Sequence, residues 1–266
     1  MSSFRNKTII ITGASEGIGR CLALQLASQN VKLVLAARNE QRLESLKSEV
    51  EALGSKAAVY AGDLSSADNA KALVATALDN FGAIDTLINN AGIDMWARFE
   101  KTDNLETFDK IFKTNFHSVL YCTYYALEHL KKSRGSIAAV SSVSGFLPVP
   151  GHSFYGASKF AIHGFLESLR LEIEPEVNIT IVAPDFVKTE LHKKGLDGSG
   201  KPMGKSVHDG ITAETCAKMA LDGIRAKKRL VITSPRGKFA YALRGLLPEF
   251  IDGIVKRNMR TSTLFD

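Results

Sequence analysis

Seven short apolar runs punctuate the chain: Thr8–Thr12, Val31–Ala37, Ala57–Ala61, Thr86–Asn89, Ser136–Val140, Ile179–Ala183 and Leu230–Thr233. They are continuous rather than alternating, which is the pattern of strands buried on both faces. Between them lie segments with helical spacing: Ile18–Asn30, Glu40–Leu53, Ser66–Phe81, Leu105–Lys132, Ser153–Ile173 and Thr212–Ala226. Strand and helix in regular alternation predict βαβ units with right-handed crossovers. The expected fold is a single doubly wound α/β domain over residues 1–235, a parallel seven-stranded sheet with helices on both faces.

Two stretches break the rhythm. His192–Gly210 carries five glycines in 19 residues just after a predicted strand end, where open α/β sheets bind ligands, so a substrate flap is expected there. Residues 236–266 form a C-terminal extension in which Phe239, Leu243, Leu246, Phe250 and Ile254 recur at helical spacing, with Pro248 starting a second helix. Charge sharpens that picture. The net charge is +6, yet Arg225–Arg260 holds ten Lys/Arg against Glu249 and Asp252 alone, so the basic excess belongs to the tail. A basic amphipathic segment suits peripheral contact with a membrane. The favoured reading is a cover for a substrate pocket or a subunit contact, its charges merely solvated. The three cysteines, Cys21, Cys122 and Cys216, are odd in number, widely spaced and on predicted helices, as expected of reduced thiols in the cytoplasm. No signal-like stretch precedes the first strand, and no apolar run reaches the ~20 residues needed to span a bilayer. No metal-ligand spacing and no nucleic-acid module is present.

The first strand leads into Thr12-Gly13-Ala14-Ser15-Glu16-Gly17-Ile18-Gly19 and then a helix. Glycines let backbone approach a ligand closely, and a helix start offers free N–H groups to a pyrophosphate. The spacing differs from the usual Gly-x-Gly-x-x-Gly. An acidic residue at the end of the second strand would hold the ribose 2′-hydroxyl of NAD, but the chain reads Ala36-Ala37-Arg38-Asn39. Arg38 suits a 2′-phosphate, so NADP(H) is expected ahead of NAD(H). Glu16, inside the phosphate loop, argues the other way.

Further on, Tyr155 and Lys159 are four apart and share a helix face, while Ser142 sits at the end of the fifth strand. A phenol, an ammonium and a hydroxyl would then meet in one space. Taken alone, the stretch reads first as an ordinary loop-to-helix junction.

Together these residues, with Asp63-Leu64, Asn89-Asn90-Ala91-Gly92 and Asn115, resemble the short-chain dehydrogenase/reductase family in its compact form, on a Rossmann-type sheet. The resemblance runs from the first strand to about residue 233. It implies that Gly13, Ser15, Gly17, Ile18 and Gly19 cradle the cofactor. Asp63 would accept from the adenine amino group beside Leu64, and Asn89, Asn90, Ala91 and Gly92 would line the adenosine and nicotinamide-ribose side. Tyr155 would be the general acid/base, Ser142 would hydrogen-bond the same substrate oxygen, Lys159 would bind ribose hydroxyls, and Asn115 would anchor a water in a proton relay. The Lys159 ammonium, together with the oxidised nicotinamide, would favour the phenolate. Pro184, Val187 and Thr189 would meet the nicotinamide amide. A departure follows Pro184: the family glycine is replaced by Asp185. A homodimer or homotetramer is implied, with Leu105–Lys132 and Ser153–Ile173 as contact faces.

Other candidates weigh less. His163, four after Lys159, is expected to pack against a neighbour, and His152 to lie near the mouth of the pocket. Trp96, Phe99, Phe146 and Leu147 are candidate apolar walls, pointing to a hydrophobic carbonyl or alcohol substrate, steroid-like or lipid-like. The competing reading is a non-catalytic NADP(H)-binding redox sensor or scaffold, which would have no need of the phenol.

Overall fold

In the computed structural model, residues 3–204 and 210–260 are described. The remaining parts of the expected flap (205–209) and extension (261–266) lie outside the described residues. Strands β1 (Thr8–Thr12), β2 (Lys32–Ala37), β3 (Lys56–Ala61), β4 (Thr86–Asn89), β5 (Ser136–Val140) and β6 (Asn178–Ala183) form most of the main sheet. After them come β7 (Val187–Lys188), β8 (Ile211–Thr212) and β9 (Leu230–Ile232). The main sheet is parallel and seven-stranded in the order β3-β2-β1-β4-β5-β6-β9, as expected. The short β7–β8 pair, unforeseen, closes the base of the flap.

The continuous apolar runs now have a physical reason. In β1, Ile9 and Ile11 face helices α1 (Gly17–Ala27), α2 (Glu40–Ala52) and α7 (Ala213–Arg225), packing with Leu22, Leu43 and Ile224. Ile10 faces α3 (Ala67–Phe81), α5 (Ser118–Ser133) and α6 (Ser153–Ile173), packing with Leu73, Val119 and Ile162. Both faces of the strand are dry, and each side chain contributes roughly 2–3 kcal/mol of apolar burial.

Helix starts follow their capping residues. Asn39 accepts from the Arg42 N–H at the start of α2, and Thr212 accepts from the Thr215 N–H at the start of α7. Helix α1 has no side-chain cap, and its first turn faces the cleft described below. The segment read as one helix, Leu105–Lys132, is α4 (Glu106–Phe112) and α5 joined by a π-turn over Lys113–His117, which carries Asn115. Such insertions re-aim side chains at functional sites. The tail forms α8 (Pro235–Arg244), capped by Ser234, and α9 (Pro248–Arg260), which starts at Pro248 as expected. No helix of the described residues is long and apolar enough to cross a membrane.

Candidate active site

The strand order reverses between β1 and β4, and at that switch point the C-terminal strand ends open into a cleft of about 930 Å³. Its floor is the turn after β1. Gly13 and Gly17 adopt positive φ. A Cβ on Gly13 would lie 2.9 Å from Ala91 Cα, and one on Gly19 only 2.2 Å from Gly13 O. The two loops are sewn together: Asn90 Nδ2 donates to Thr12 O (3.0 Å) and Gly13 O (3.1 Å). The Asn90 and Ala91 N–H groups donate to Thr12 Oγ1. Glycine is thus required for close approach, and the uncapped start of α1 leaves N–H groups for an anion. Ser15, Gly17 and Ile18 line this end, followed by Arg38, Arg42, Asp63 and Leu64.

Three predicted positions lie beneath the cleft rather than along it. Asn89 is buried and donates to Thr123 Oγ1 (3.3 Å), because its side chain points toward α5; its neighbour Asn90 faces the cleft instead. Gly19 supports the turn from below. Asn115 exchanges hydrogen bonds with both the N–H and C=O of Ile93 (2.8 and 3.0 Å) and donates to Ser158 Oγ (3.0 Å). It holds the loop that carries Gly92.

Glu16 is paired with Arg42 and with Lys194 of the flap. Although its partial burial disfavours charge, those two cations hold its carboxyl below the ordinary range.

At the other end Ser142, Tyr155 and Lys159 converge. Ser142 caps a short turn, accepting from the Ser144 N–H (3.1 Å), and its hydroxyl bonds the Tyr155 phenol. Lys159 Nζ donates to Val140 O at the end of β5 (3.1 Å) and lies 5.5 Å from the centroid of the Tyr155 ring. The charge balance differs from the expectation that Lys159 would favour the phenolate. Burial, reinforced by the Asp94 carboxylate, pushes the Tyr155 phenol up, and only the Ser142 bond works against it. Burial likewise pushes Lys159 down to about 8, opposed by Asp94. Among the chain's own groups desolvation wins, so Tyr155 is held as an acid.

The candidate walls divide. Trp96 and Leu147 line the cleft, joined by Val149 and Phe186; Phe99 is solvent-exposed and edge-packed on Phe154, while Phe146 packs on Ala183 and Ile232. His152 lines the cleft with its ring centroid 5.0 Å from that of Tyr155; His163 packs edge-on against Phe146, away from the cleft. Pro184, Val187 and Thr189 line the cleft, and Thr189 sits beside Gly17. Asp185 accepts from Arg236 Nε (2.5 Å) and Nη2 (2.7 Å) and from Ser234 Oγ (2.6 Å). Aspartate at the glycine position therefore ties the start of α8 to the active-site loop. The tail closes this side of the cleft with Phe239, Ala240, Ile251 and Ile254.

Sequence reasoning missed Arg42, Asp94 and His192. Asp94 offered one signal, a lone acid between Ile93 and the apolar pair Met95-Trp96.

Residues 7–198 match the family model described as short chain dehydrogenase. The chain is 37% identical over 253 residues to 11-beta-hydroxysteroid dehydrogenase-like 4A of Arabidopsis thaliana, covering 95% of this chain and 84% of that protein. It is 35% identical over 250 residues to 11-beta-hydroxysteroid dehydrogenase-like 2 of the same plant, covering 92% and 79%. Among solved structures it resembles a short chain dehydrogenase/reductase of Burkholderia phymatum in complex with NAD, with a TM-score of 0.83, 24% identity and coverage of 94% and 96%. It also resembles an alcohol dehydrogenase of the archaeon Thermococcus sibiricus complexed with 5-hydroxy-NADP, with a TM-score of 0.74, 26% identity and coverage of 86% and 96%. The chain belongs to the short-chain dehydrogenase/reductase family, oxidoreductases that bind a nicotinamide cofactor. Its curated relatives include proteins named as hydroxysteroid dehydrogenases.

Proposed function

We propose that this protein is an NADP(H)-dependent oxidoreductase that interconverts a ketone or aldehyde with an alcohol, on a hydrophobic, steroid-like or lipid-like substrate. The observation that carries the reading is the meeting of Ser142, Tyr155 and Lys159 in the cleft that Arg38 and Arg42 line at its far end. The glycine cradle and the bare start of α1 suit a dinucleotide pyrophosphate. Arg38-Asn39 in place of a carboxylate directly at the end of β2, with two guanidinium groups nearby, favours a 2′-phosphate.

A bound nicotinamide dinucleotide supplies or accepts the hydride. Tyr155 gives its proton to the carbonyl oxygen in reduction and takes the hydroxyl proton in oxidation. Ser142 donates to the same oxygen, which helps most where negative charge develops. Lys159, anchored on Val140 O, binds ribose hydroxyls and keeps a positive charge beside the phenol. Asn115 anchors the proton relay behind Lys159. Burial pushes the phenol up, which holds Tyr155 in the protonated form that donates to a carbonyl oxygen. The apolar walls at Trp96, Leu147 and Phe239, and the names of the relatives, support a hydrophobic substrate.

The test is NADPH absorbance with a panel of steroid ketones and aldehydes. Tyr155→Phe should lower kcat/KM by about 10²–10⁴ while NADPH still binds. Arg38→Ala should weaken NADPH by about tenfold and leave NADH nearly unchanged. Normal turnover by Tyr155→Phe would sink the mechanism. Binding with no turnover across the panel would favour the non-catalytic sensor or scaffold.

The assembly reading is a homodimer or homotetramer, supported by Tyr124 on α5 and Phe160 and Leu171 on α6, which are exposed. The tail covers the substrate end of the cleft, and its outer side, with Leu246 and Phe250 exposed beside Lys256 and Arg257, suits a membrane surface. Light scattering with and without anionic vesicles reads both; a monomer indifferent to vesicles overturns both.

A further inference from the structure

The chain has one tryptophan, and its indole serves an arrangement that the carbonyl chemistry does not use. Trp96 Nε1 donates to Asp94 Oδ2 (2.9 Å), and the same oxygen accepts from His192 Nδ1 (2.7 Å). Asp94 Oδ1 accepts from the Met95 N–H (2.8 Å) and faces His152 Nε2 at 3.6 Å. The Asp94 side chain is 1% exposed. A carboxylate so deep is stable only when its oxygens are satisfied. Here the groups that satisfy it come from two separate stretches, the loop after β4 (Trp96 and Met95) and the flap (His192), while the His152 ring packs alongside.

Aromatic rings close around this carboxylate. The Trp96 centroid lies 3.5 Å from that of His152 and 6.4 Å from that of Phe186, stacked in the latter case; Phe186 is 5.9 Å from His192. His152 completes the chain at Tyr155. Backbone follows the same route. The Leu196 N–H donates to Asp94 O (2.9 Å), the Trp96 N–H to Leu196 O (3.0 Å), and the Ala97 N–H to Gly151 O (2.9 Å).

We propose that Asp94 is the positioning residue of the substrate side, clamping segment 192–204 through His192 and setting the Trp96–His152 wall against Tyr155. Only a carboxylate fits this place: an amide can accept on one oxygen but cannot serve the indole, the imidazole and the Met95 N–H together. The clamp thereby selects among substrates. A bulky carbonyl compound reaches segment 192–204, and a small one does not. That kinetic part rests on the reading of the cleft as a carbonyl/alcohol site.

The experiment uses the full chain and Trp96 as its own reporter. Acrylamide quenching of Trp96 and amide hydrogen exchange are compared in wild type, Asp94→Asn, His192→Ala, His192→Asn and the double variant Asp94→Asn/His192→Ala. His192→Ala should raise the quenching constant about twofold and speed exchange in 193–204 about tenfold, leaving β1, β4 and β5 unchanged. His192→Asn, which keeps an N–H near the Nδ1 position, should restore most of the protection. Asp94→Asn, which also disturbs the Trp96 and Met95 contacts, should loosen the segment at least as much as His192→Ala, and adding His192→Ala to it should loosen the segment no further. In turnover, His192→Ala should raise KM for a steroid ketone about tenfold with kcat nearly constant, and leave KM for benzaldehyde alone. Two results overturn the proposal: wild-type quenching and exchange in His192→Ala, or exchange that accelerates in the sheet as much as in the segment. Should the wild type reduce no carbonyl compound, the proposed function falls, while quenching and exchange still judge the clamp.

Discussion

The two ends of the cleft are built by different means. At the nucleotide end, loops that leave neighbouring parallel strands β1 and β4 are joined through backbone atoms, Asn90 and glycines whose missing side chains allow the contact. The sheet brings those loops together whatever else the chain contains. At the substrate end, a few backbone bonds are accompanied by side-chain pairs the sheet does not impose. Asp94 meets His192, 98 residues on; Asp185 meets Arg236, 51 residues on; Arg244 reaches the Phe146 carbonyl. The first end is a property of topology and tolerates little change. The second depends on individual charged groups, so it can be retuned one pair at a time.

That contrast can be broken by experiment. The largest effect should come from Gly19→Ala, whose Cβ would fall 2.2 Å from a backbone oxygen. Dinucleotide affinity, read by NADPH fluorescence titration, should drop by about 100-fold or more. A near-normal affinity would show that the floor yields as readily as the substrate side.

Acid comes next, and it acts on two buried histidines, His152 in the cleft wall and His163 behind it. Burial pushes both His152 and His163 down to about 4. Between pH 6.5 and about 4 the unfolded chain binds protons that the folded chain refuses, so stability is lost as pH falls through that window. The loss is on the order of 3 kcal/mol per histidine. His163→Gln should flatten the slope of urea stability against pH by about one proton. An unchanged slope would remove buried histidine as its cause.

Asp185→Ala should have the smallest effect. It frees Arg236 and Ser234 and should cost about 1–2 kcal/mol, with faster proteolysis after Thr233. Tail proteolysis at the wild-type rate would mean that apolar packing at Ala240 and Ile251, not the carboxylate, holds α8 and α9.

How much was legible follows the same division. The seven strands were readable because each is a continuous apolar run, and most of the floor because glycine spacing is local. The π-turn at Lys113–His117 was not, since it changes the hydrogen-bond ladder without changing the apolar period. The short β7–β8 pair spans two residues a side, too few to show a pattern. Asn89 was placed on the wrong side of the strand end, where the side chain alternates between Asn89 and Asn90. Asp94, His192 and Arg236 were silent because a charged residue in sequence does not say which distant charge it meets. The expectation for Tyr155 differed for a related reason: the four-residue spacing shows a neighbouring ammonium, but desolvation is set by everything packed around it.

Glu16 gives the nucleotide end one further property. With Arg42 and Lys194 both on its carboxylate, two of the cations at that mouth already carry their counter-ion within the chain. An incoming polyanion therefore exchanges one anionic partner for another and releases few ions from solution. Cofactor affinity should accordingly vary only weakly with ionic strength, and Glu16→Gln should steepen that dependence while tightening binding at low salt.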